Sequence, residues 1–274
     1  MSVLPAAPPA ASAERFSPVG EATLLLRRVG AMCLVELQKL RHDRTELVTR
    51  TVQPALWLVV FGTTFSRLHA IPTGGTPYLD FLAPGILAQS ALFIAIFYGI
   101  QVIWERDAGV LAKLLVTPTP RAALVTAKAF AAGIRALVQA LVVVVIALLL
   151  GVGLTANPLK LLGAAVIVVL GSAFFCCLSI TLAGVVLSRD RLMGIGQAIT
   201  MPLFFASNAL YPVDVMPGWL QVVNHVNPLS YEVEALRGLL VGTPARLGLC
   251  FVVLLVAAAV MISVASALLP RLAR

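Results

Sequence analysis

The chain has 274 residues, 60% of them hydrophobic and 12% charged, with a mean hydropathy of +0.99 and a net charge of +8. Soluble domains carry about 25% charged residues, and a chain of this size has too little polar skin to hide so much apolar side chain in water. These figures exclude an ordinary soluble enzyme or binding module and point to one polytopic, all-helical membrane domain filling residues 21–274.

The basic balance does not suggest nucleic acid. No basic-aromatic sheet pattern or zinc-ligand spacing accompanies it. The lysines and arginines fall in short segments beside apolar runs, where cations set orientation and meet anionic lipid headgroups. Of the four cysteines, Cys176, Cys177 and Cys250 lie in apolar runs and Cys33 in an amphipathic stretch. They read as small core hydrophobes.

Residues 1–20, "MSVLPAAPPAASAERFSPVG", are rich in Ala and Pro and lack a basic region followed by an apolar core. They read as a disordered tail, not a signal peptide. Leu26, Val29, Cys33, Leu37 and Leu40 then recur at helical spacing, with Arg27, Arg28, Gln38, Lys39 and Arg41 opposite. That pattern predicts an amphipathic helix on the membrane surface. Glu36 projects onto the flank of its apolar face, where it snorkels to water or meets a partner.

Six spans are predicted near 49–66, 80–103, 133–154, 162–187, 193–210 and 247–269. Each main run is near the 20 or so residues a helix needs to cross a bilayer. The fifth contains Pro202 and Asn208, so it must pack inside a bundle where its freed backbone finds partners. With the N-terminus inside, sixteen Lys and Arg fall on the inner side and four on the outer: Arg67, Lys160, Arg237 and Arg246. This asymmetry predicts cytoplasmic termini.

"WERDAGVLAKLLVTPTPR", residues 104–121, then lies in the inner connection between spans two and three. Trp104, Ala108, Leu111 and Leu115 make one helical stripe, and Glu105, Arg106, Asp107 and Lys113 fill the other faces. Gly109 permits a bend. Pro118 and Pro120 stop the helix, and a new one starts near Arg121 and runs into span three. A plain connector needs only a few polar residues. This segment is either an interfacial helix on the inner leaflet or a docking knob for a cytoplasmic partner.

The outer connection, 211–246, is equally patterned. Met216-Pro217-Gly218 opens a short helix bearing Trp219, and Asn227-Pro228 breaks it. "LSYEVEALRGLL" forms a second, striped by Leu229, Val233, Leu236 and Leu240. Ser230 is placed to cap it, and Glu232 or Glu234 is spaced to pair with Arg237. Such fragments can dip into the outer leaflet and return if protein surrounds their backbone.

Chemistry-bearing motifs are sparse. No glycine-rich phosphate loop with Lys and Ser/Thr is present, so no ATP-hydrolysing domain is expected. His42, His69 and His225 are scattered, and no nucleophile–base pair suggests hydrolysis. Asp80 and Asp190 sit at span ends, which offers a coupling ion little at mid-membrane. Gln101, Gln139, Gln197 and Asn208 read as interhelical hydrogen-bonding groups, and Ser172, Ser179 and Thr181 as packing groups. Paired phenylalanines, among them Phe61, Phe65, Phe204 and Phe205, fill the bundle or wall a path for amphiphiles.

Three stretches, "LVELQKLRHDRTELVTRTVQPALWLVVFG", "ERDAGVLAKLLVTPTPRAALVTAK" and "MPLFFASNALYPVDVMPGWLQVVNHVNPLSYEVEALRGLL", occur in that order. Together they make the chain from about Glu21 to Leu269 resemble the membrane permeases of type-2 ABC exporters. The resemblance is greatest to daunorubicin-type drug efflux permeases, with nodulation lipo-oligosaccharide exporters nearby. It implies a permease that pairs with a second, identical or homologous, permease subunit and exports a hydrophobic or amphiphilic cargo. Two copies of a cytoplasmic ATPase would use ATP and Mg, and no cofactor or metal is expected on this chain. Glu105, Arg106, Asp107 and Gly109 would open the ATPase-docking element, Leu111, Leu114 and Leu115 would seat its apolar side, and Pro118 would fix its exit. Pro217, Trp219, Asn227, Pro228 and Arg237 would belong to re-entrant helices closing the path outside. The alternatives are an ATP-independent secondary transporter of amphiphiles, or export of lipo-oligosaccharide or polysaccharide by the same architecture.

Overall fold

The computed structural model describes residues 44–68, 73, 75–116 and 120–273, together with the helical positions Arg27, Gly30, Ala31, Leu34 and Gln38. The expected tail, most of the expected interfacial helix with Glu36 and Cys33, His42, His69, and the break at Pro118 lie outside the described residues. The five described positions of that helix are all exposed. Among the described residues all regular structure is helical.

Among the described residues four helices are long and apolar enough to cross a membrane. They are α3 (Tyr78–Asp107), α5 (Arg121–Leu149), α6 (Pro158–Val186) and α10 (Leu247–Leu268), the last prolonged by a 3-10 turn, Leu269–Ala273. Two weaker elements occupy the expected first and fifth spans. The first is α1 (Arg44–Leu56), a π-helical turn (Trp57–Gly62) and α2 (Thr63–Leu68); the fifth is α7 (Arg189–Phe205). The described residues also include three short α-helices, α4 (Val110–Val116), α8 (Gly218–Val226) and α9 (Pro228–Leu240), and a 3-10 turn, Val213–Val215.

Helix ends differ from the sequence expectation where a local signal is strong. The third span starts at Arg121, directly after Pro120, and stops at Leu149, where Gly151 takes a left-handed turn (φ 82°). In α6, the Asn157 side chain accepts the Leu159 N–H at 3.0 Å and Pro158 occupies the first helical position. This is the expected helix-start chemistry. In the first element, Pro54 supplies no N–H to the turn before it, and the helix loosens into the π turn immediately after.

The helix α6 is apolar on every side, as a central helix must be, and packs against α3, α5, α9 and α10. Its Ser179 hydroxyl donates to the Ile96 carbonyl of α3 at 2.7 Å, so that serine does join helices. Cys176, Cys177 and Cys250 are buried in the core, as small hydrophobes are.

Candidate functional site

Two polar assemblies sit at opposite ends of α3. At its C-terminal end the helix runs on through Trp104 to Asp107, four residues past the expected end of the span. Ala108 N–H then donates to the Trp104 carbonyl and Gly109 N–H to that of Arg106, both at 2.9 Å. Gly109 has φ 69°, a left-handed conformation that a side chain resists. The separate seven-residue α4 starts after it. The stripe Trp104–Ala108–Leu111–Leu115 therefore does not lie on one helix, because Gly109 turns the chain between its halves.

The charged residues at this elbow divide by direction. Glu105 turns inward and accepts from Lys128 Nζ of α5 at 2.6 Å, with Lys128 only 3% exposed. Arg106 holds Asp107 Oδ1 through Nε and Nη2 at 2.9 and 2.8 Å. Its Nη1 donates to the Leu187 carbonyl at 3.0 Å. Leu187 is the left-handed residue (φ 55°) that ends α6. Arg189, the first residue of α7, places its guanidinium 4.8 Å over the Trp104 ring. The elbow is thus bonded to the ends or bodies of α5, α6 and α7. Leu111 is fully buried and seats α4 on the bundle, while Asp107, Val110, Ala112 and Lys113 remain exposed. The side chains of Leu114 and Leu115 lie outside the described residues.

At the N-terminal end of α3, α8 and α9 form a hairpin against α3, α6 and α7. Pro217 precedes α8, and Trp219 is 69% exposed on it. The elbow residue Asn227 does three things. Its Oδ1 accepts the Leu229 N–H at 3.1 Å, its Nδ2 donates to the Leu203 carbonyl of α7 at 2.7 Å, and Pro228 follows as the first residue of α9. Asn227, not Ser230, is therefore the cap. Ser230 lies inside the first turn with its hydroxyl buried and unpartnered. The sequence expectation failed because a cap needs extended backbone, which Asn227 has (φ −78°, ψ 114°) and a residue inside the helix lacks.

Arg237 corrects a second expectation. It bonds neither Glu232 nor Glu234. Its Nε and Nη2 donate to the Phe81 carbonyl at 3.3 and 3.2 Å, and Nη2 also to the Asn208 carbonyl at 2.9 Å. The guanidinium lies 3.7 Å over the Phe81 ring. A planar fork with several donors can join two backbone segments at once. An aromatic series leads from it through Phe81, Tyr78, Phe65 and Phe61 to Trp57, with successive ring centroids 4.3–6.4 Å apart. Gly85 lets α3 touch the turn after α7, since a Cβ there would stand 2.5 Å from the Ala209 carbonyl oxygen.

The hairpin reaches deep. Leu239 lies against Gly163, near the start of α6, and Glu232 lies against Gly171. Gly171 is thirteen residues into α6, about 20 Å at the helical rise. The N-terminal turn of α9 therefore sits beside the middle of a spanning helix. Glu232 is fully buried there, with neither carboxylate oxygen bonded. A mid-membrane acid was expected only on a long span, and Glu232 sits instead on a short helix beside one. The signal was present, because Glu232 shares a face with Leu229 and Leu236. Arg135 is a further buried charge, well inside α5 and 5.0 Å from the Tyr98 ring. Gln89, buried in α3, was also missed.

An apolar groove of about 620 Å³ opens between α7 and α8, lined by Pro202, Phe205, Tyr211, Trp219 and Val223 among others. Tyr211 donates to the Phe205 carbonyl beneath it, and burial raises its phenol above the ordinary range.

Residues 27–241 of this helical chain match one family model, ABC-2 type transporter. The chain belongs to that family. It is 31% identical over 205 residues to a chain called transport permease ycf38 in Cyanophora paradoxa, covering 73% of this chain and 69% of that one. It is 25% identical over 203 residues to the daunorubicin resistance ABC transporter permease protein DrrB1 of Streptomyces coeruleorubidus, with 74% and 71% covered. With nodulation protein J of Rhizobium leguminosarum bv. trifolii it shares 27% identity over 200 residues, covering 72% and 75%. The ABC-2 chain described here is thus a membrane transport permease by its family, and its relatives are transport components rather than enzymes.

Proposed function

We propose that this ABC-2 permease is the membrane half of an ATP-driven exporter of hydrophobic or amphiphilic molecules, either drug-like or lipid-like. Two copies of a separate cytoplasmic ATPase supply the ATP and Mg chemistry. Two permease subunits pair across the groove between α7 and α8, and the chain crosses the membrane six times with both termini cytoplasmic. The α4 elbow receives the ATPase.

The observation that carries this reading is the anchoring of that elbow. A surface helix that merely rests on lipid needs no attachment. Here buried Leu111 seats α4, and the Glu105–Lys128 pair and the Arg106–Leu187 bond tie the end of α3, directly before it, to α5 and α6, so a push on the exposed residues between Asp107 and Lys113 is passed to the bundle. At the far end, Arg237 and Asn227 tie the hairpin to α3 and α7, which gives that motion an outer element to open.

The test is co-expression with the partner ATPase and ATP-driven uptake of an amphiphilic dye into inside-out vesicles. Asp107→Lys with Lys113→Glu is expected to release the ATPase during purification and to abolish uptake while the permease stays folded. Full uptake by that variant rejects α4 as the docking element. Reporter tags placing residue 112 outside the cell reject the topology.

One observation favours a second reading, ion-coupled transport without ATP: the buried acid Glu232 beside the middle of α6. Uptake driven by a proton gradient in vesicles lacking the ATPase would support it.

A further inference from the structure

Glu232 is fully buried on α9, and neither of its carboxylate oxygens has a partner. Gly171 of α6 makes the room it occupies, since a Cβ there would stand 2.2 Å from Oε2. Leu229, Val233 and Leu236 lie on the same side of α9 and are fully buried too. The carboxyl is therefore enclosed in the apolar contact between the outer hairpin and the bundle.

Among the described residues no charged side chain faces it. The helix α9 packs against α3, α6 and α10. On α9 itself, Arg237 is committed to the Phe81 and Asn208 carbonyls, Glu234 accepts the Arg246 N–H at 3.1 Å, and Tyr231 donates to the His225 carbonyl at 2.8 Å. On α3, Tyr78 donates to the Leu210 carbonyl and Asp80 accepts the Gly153 N–H. Tyr98 faces Lys128 and Arg135, and Glu105, Arg106 and Asp107 lie at the far end of that helix. On α6 the charged residue is Lys160, exposed near the helix start, and the remaining titratable groups are the buried thiols Cys176 and Cys177. On α10 the titratable group is the thiol Cys250.

A carboxylate so enclosed, without a hydrogen bond or a counter-charge, is too costly to form, and the group holds its proton as the neutral acid. In water a glutamate gives up its proton at about pH 4.3. The two environments differ only by whether α9 covers the residue.

We propose that Glu232 is a proton latch on the outer hairpin: it is protonated while α9 lies against α6, ionises once the hairpin opens to water, and must regain its proton before the hairpin closes. The latch rests on the reading of α8 and α9 as the outer element that opens. It differs from ion-coupled transport, because the proton leaves and returns on the same side, none crosses the membrane, and the ATPase remains the driver. The closed state binds one proton more than the open state. Acid therefore favours closure, and above about pH 4.3 the open-to-closed ratio rises about tenfold for each pH unit.

Hydrogen exchange of the purified permease in nanodiscs reads such openings even when they are rare, and it needs no ATPase. Exchange of the amides 233–240 is followed in the wild type, Glu232→Gln and Glu232→Leu from pH 6 to pH 8, in the regime where the rate tracks the opening equilibrium. Dividing the wild-type rate by the variant rate at each pH removes the pH dependence of the exchange chemistry. It also removes that of His225, the exposed histidine of α8 bonded to the Gln221 carbonyl, which all three proteins share. The ratio is expected to rise at least about tenfold over this range in α9 and to stay level for the amides 251–268 of α10. A level ratio in α9 overturns the proposal, as does an equal rise in α10, which would report loosening of the whole bundle. Glu232→Leu keeps the test decisive if the glutamine variant folds poorly, because it replaces an unpaired buried acid with an apolar group. A level ratio leaves ATPase docking at α4 untouched. Conversely, an ATPase that fails to copurify leaves the exchange result standing.

Discussion

Arg106, at the end of α3, donates to the backbone carbonyl of Leu187, the left-handed residue that closes α6, at 3.0 Å. The two residues are 81 positions apart, and this bond joins the elbow at the end of α3 to the central helix of the bundle. A hydrogen bond from a charged donor contributes about 1 kcal/mol when it is partly exposed. Arg106→Ala is therefore expected to lower the melting temperature of the purified permease only slightly. Transport per ATP hydrolysed should fall about tenfold, because α4 then moves without α6. Paired measurements of ATPase rate and dye uptake read the difference; an unchanged ratio would show that α6 does not take part in coupling.

The neighbouring pair behaves differently. Lys128 Nζ is almost wholly buried against Glu105, whose second oxygen is already unpartnered. Lys128→Met strands the carboxylate and is expected to cost about 2–3 kcal/mol, less than a fully buried pair because Glu105 keeps some exposure. Lys128→Met with Glu105→Gln should recover most of that loss. Thermal unfolding in detergent of the wild type, both single variants and the double variant closes the cycle.

Why one layer of this organisation was readable and another was not follows from range. Apolar runs, Asn227-Pro228 and the charged segment from Trp104 are local signals, so the four long helices, the break between α8 and α9 and the turn between α3 and α4 could be read along the chain. Partner choice is not local. Arg237 has acids three and five positions away, yet it bonds two carbonyls supplied by α3 and the turn after α7. Glu105 and Lys128 were both expected on the inner side, and only the packing of α3 on α5 brings them together. The first and fifth elements read as spans by position, but Pro54, the π turn and Pro202 leave them less regular and more polar than the other four.

Asn227 and Ser230 are only three residues apart and differ sharply in work done. Asn227→Ala loses a helix cap, about 1 kcal/mol, and removes the bond to the part-buried Leu203 carbonyl, about a further 1 kcal/mol. Its melting temperature should fall by several degrees. Ser230→Ala removes a hydroxyl that bonds nothing and should be neutral or slightly stabilising. A Ser230→Ala loss as large as that of Asn227→Ala would restore serine as the cap.

Close approach at the outer end is tested by one methyl group. Gly85→Ala would place its Cβ 2.5 Å from the Ala209 carbonyl, and backbone cannot swing aside as a side-chain tip does. The expected cost is about 1–3 kcal/mol, with Arg237 displaced from Phe81 and outer closure loosened. Gly194→Ala is the control: it is helical, exposed and has nothing within 4 Å of the added methyl. It should stabilise by up to about 1 kcal/mol through helix propensity. Thermal-shift measurements on the two variants must move in opposite directions.

Glu232 separates the two transport readings. Buried beside Gly171 with no hydrogen-bond partner, it weakens the fold it sits in. Glu232→Leu replaces an unpaired acid by an apolar side chain of similar reach and is expected to raise the melting temperature. Glu232→Gln keeps the shape and removes the ionisable proton. If the ATPase drives export, this variant should retain dye uptake within about twofold at both pH 6 and pH 8. If a proton site drives transport, the same change should abolish it and with it the dependence on pH. The stability gain of Glu232→Leu is expected under either mechanism, so the uptake assay on Glu232→Gln decides between them, and a folded Glu232→Gln that no longer exports would move this carboxyl from incidental burial to the centre of the transport cycle.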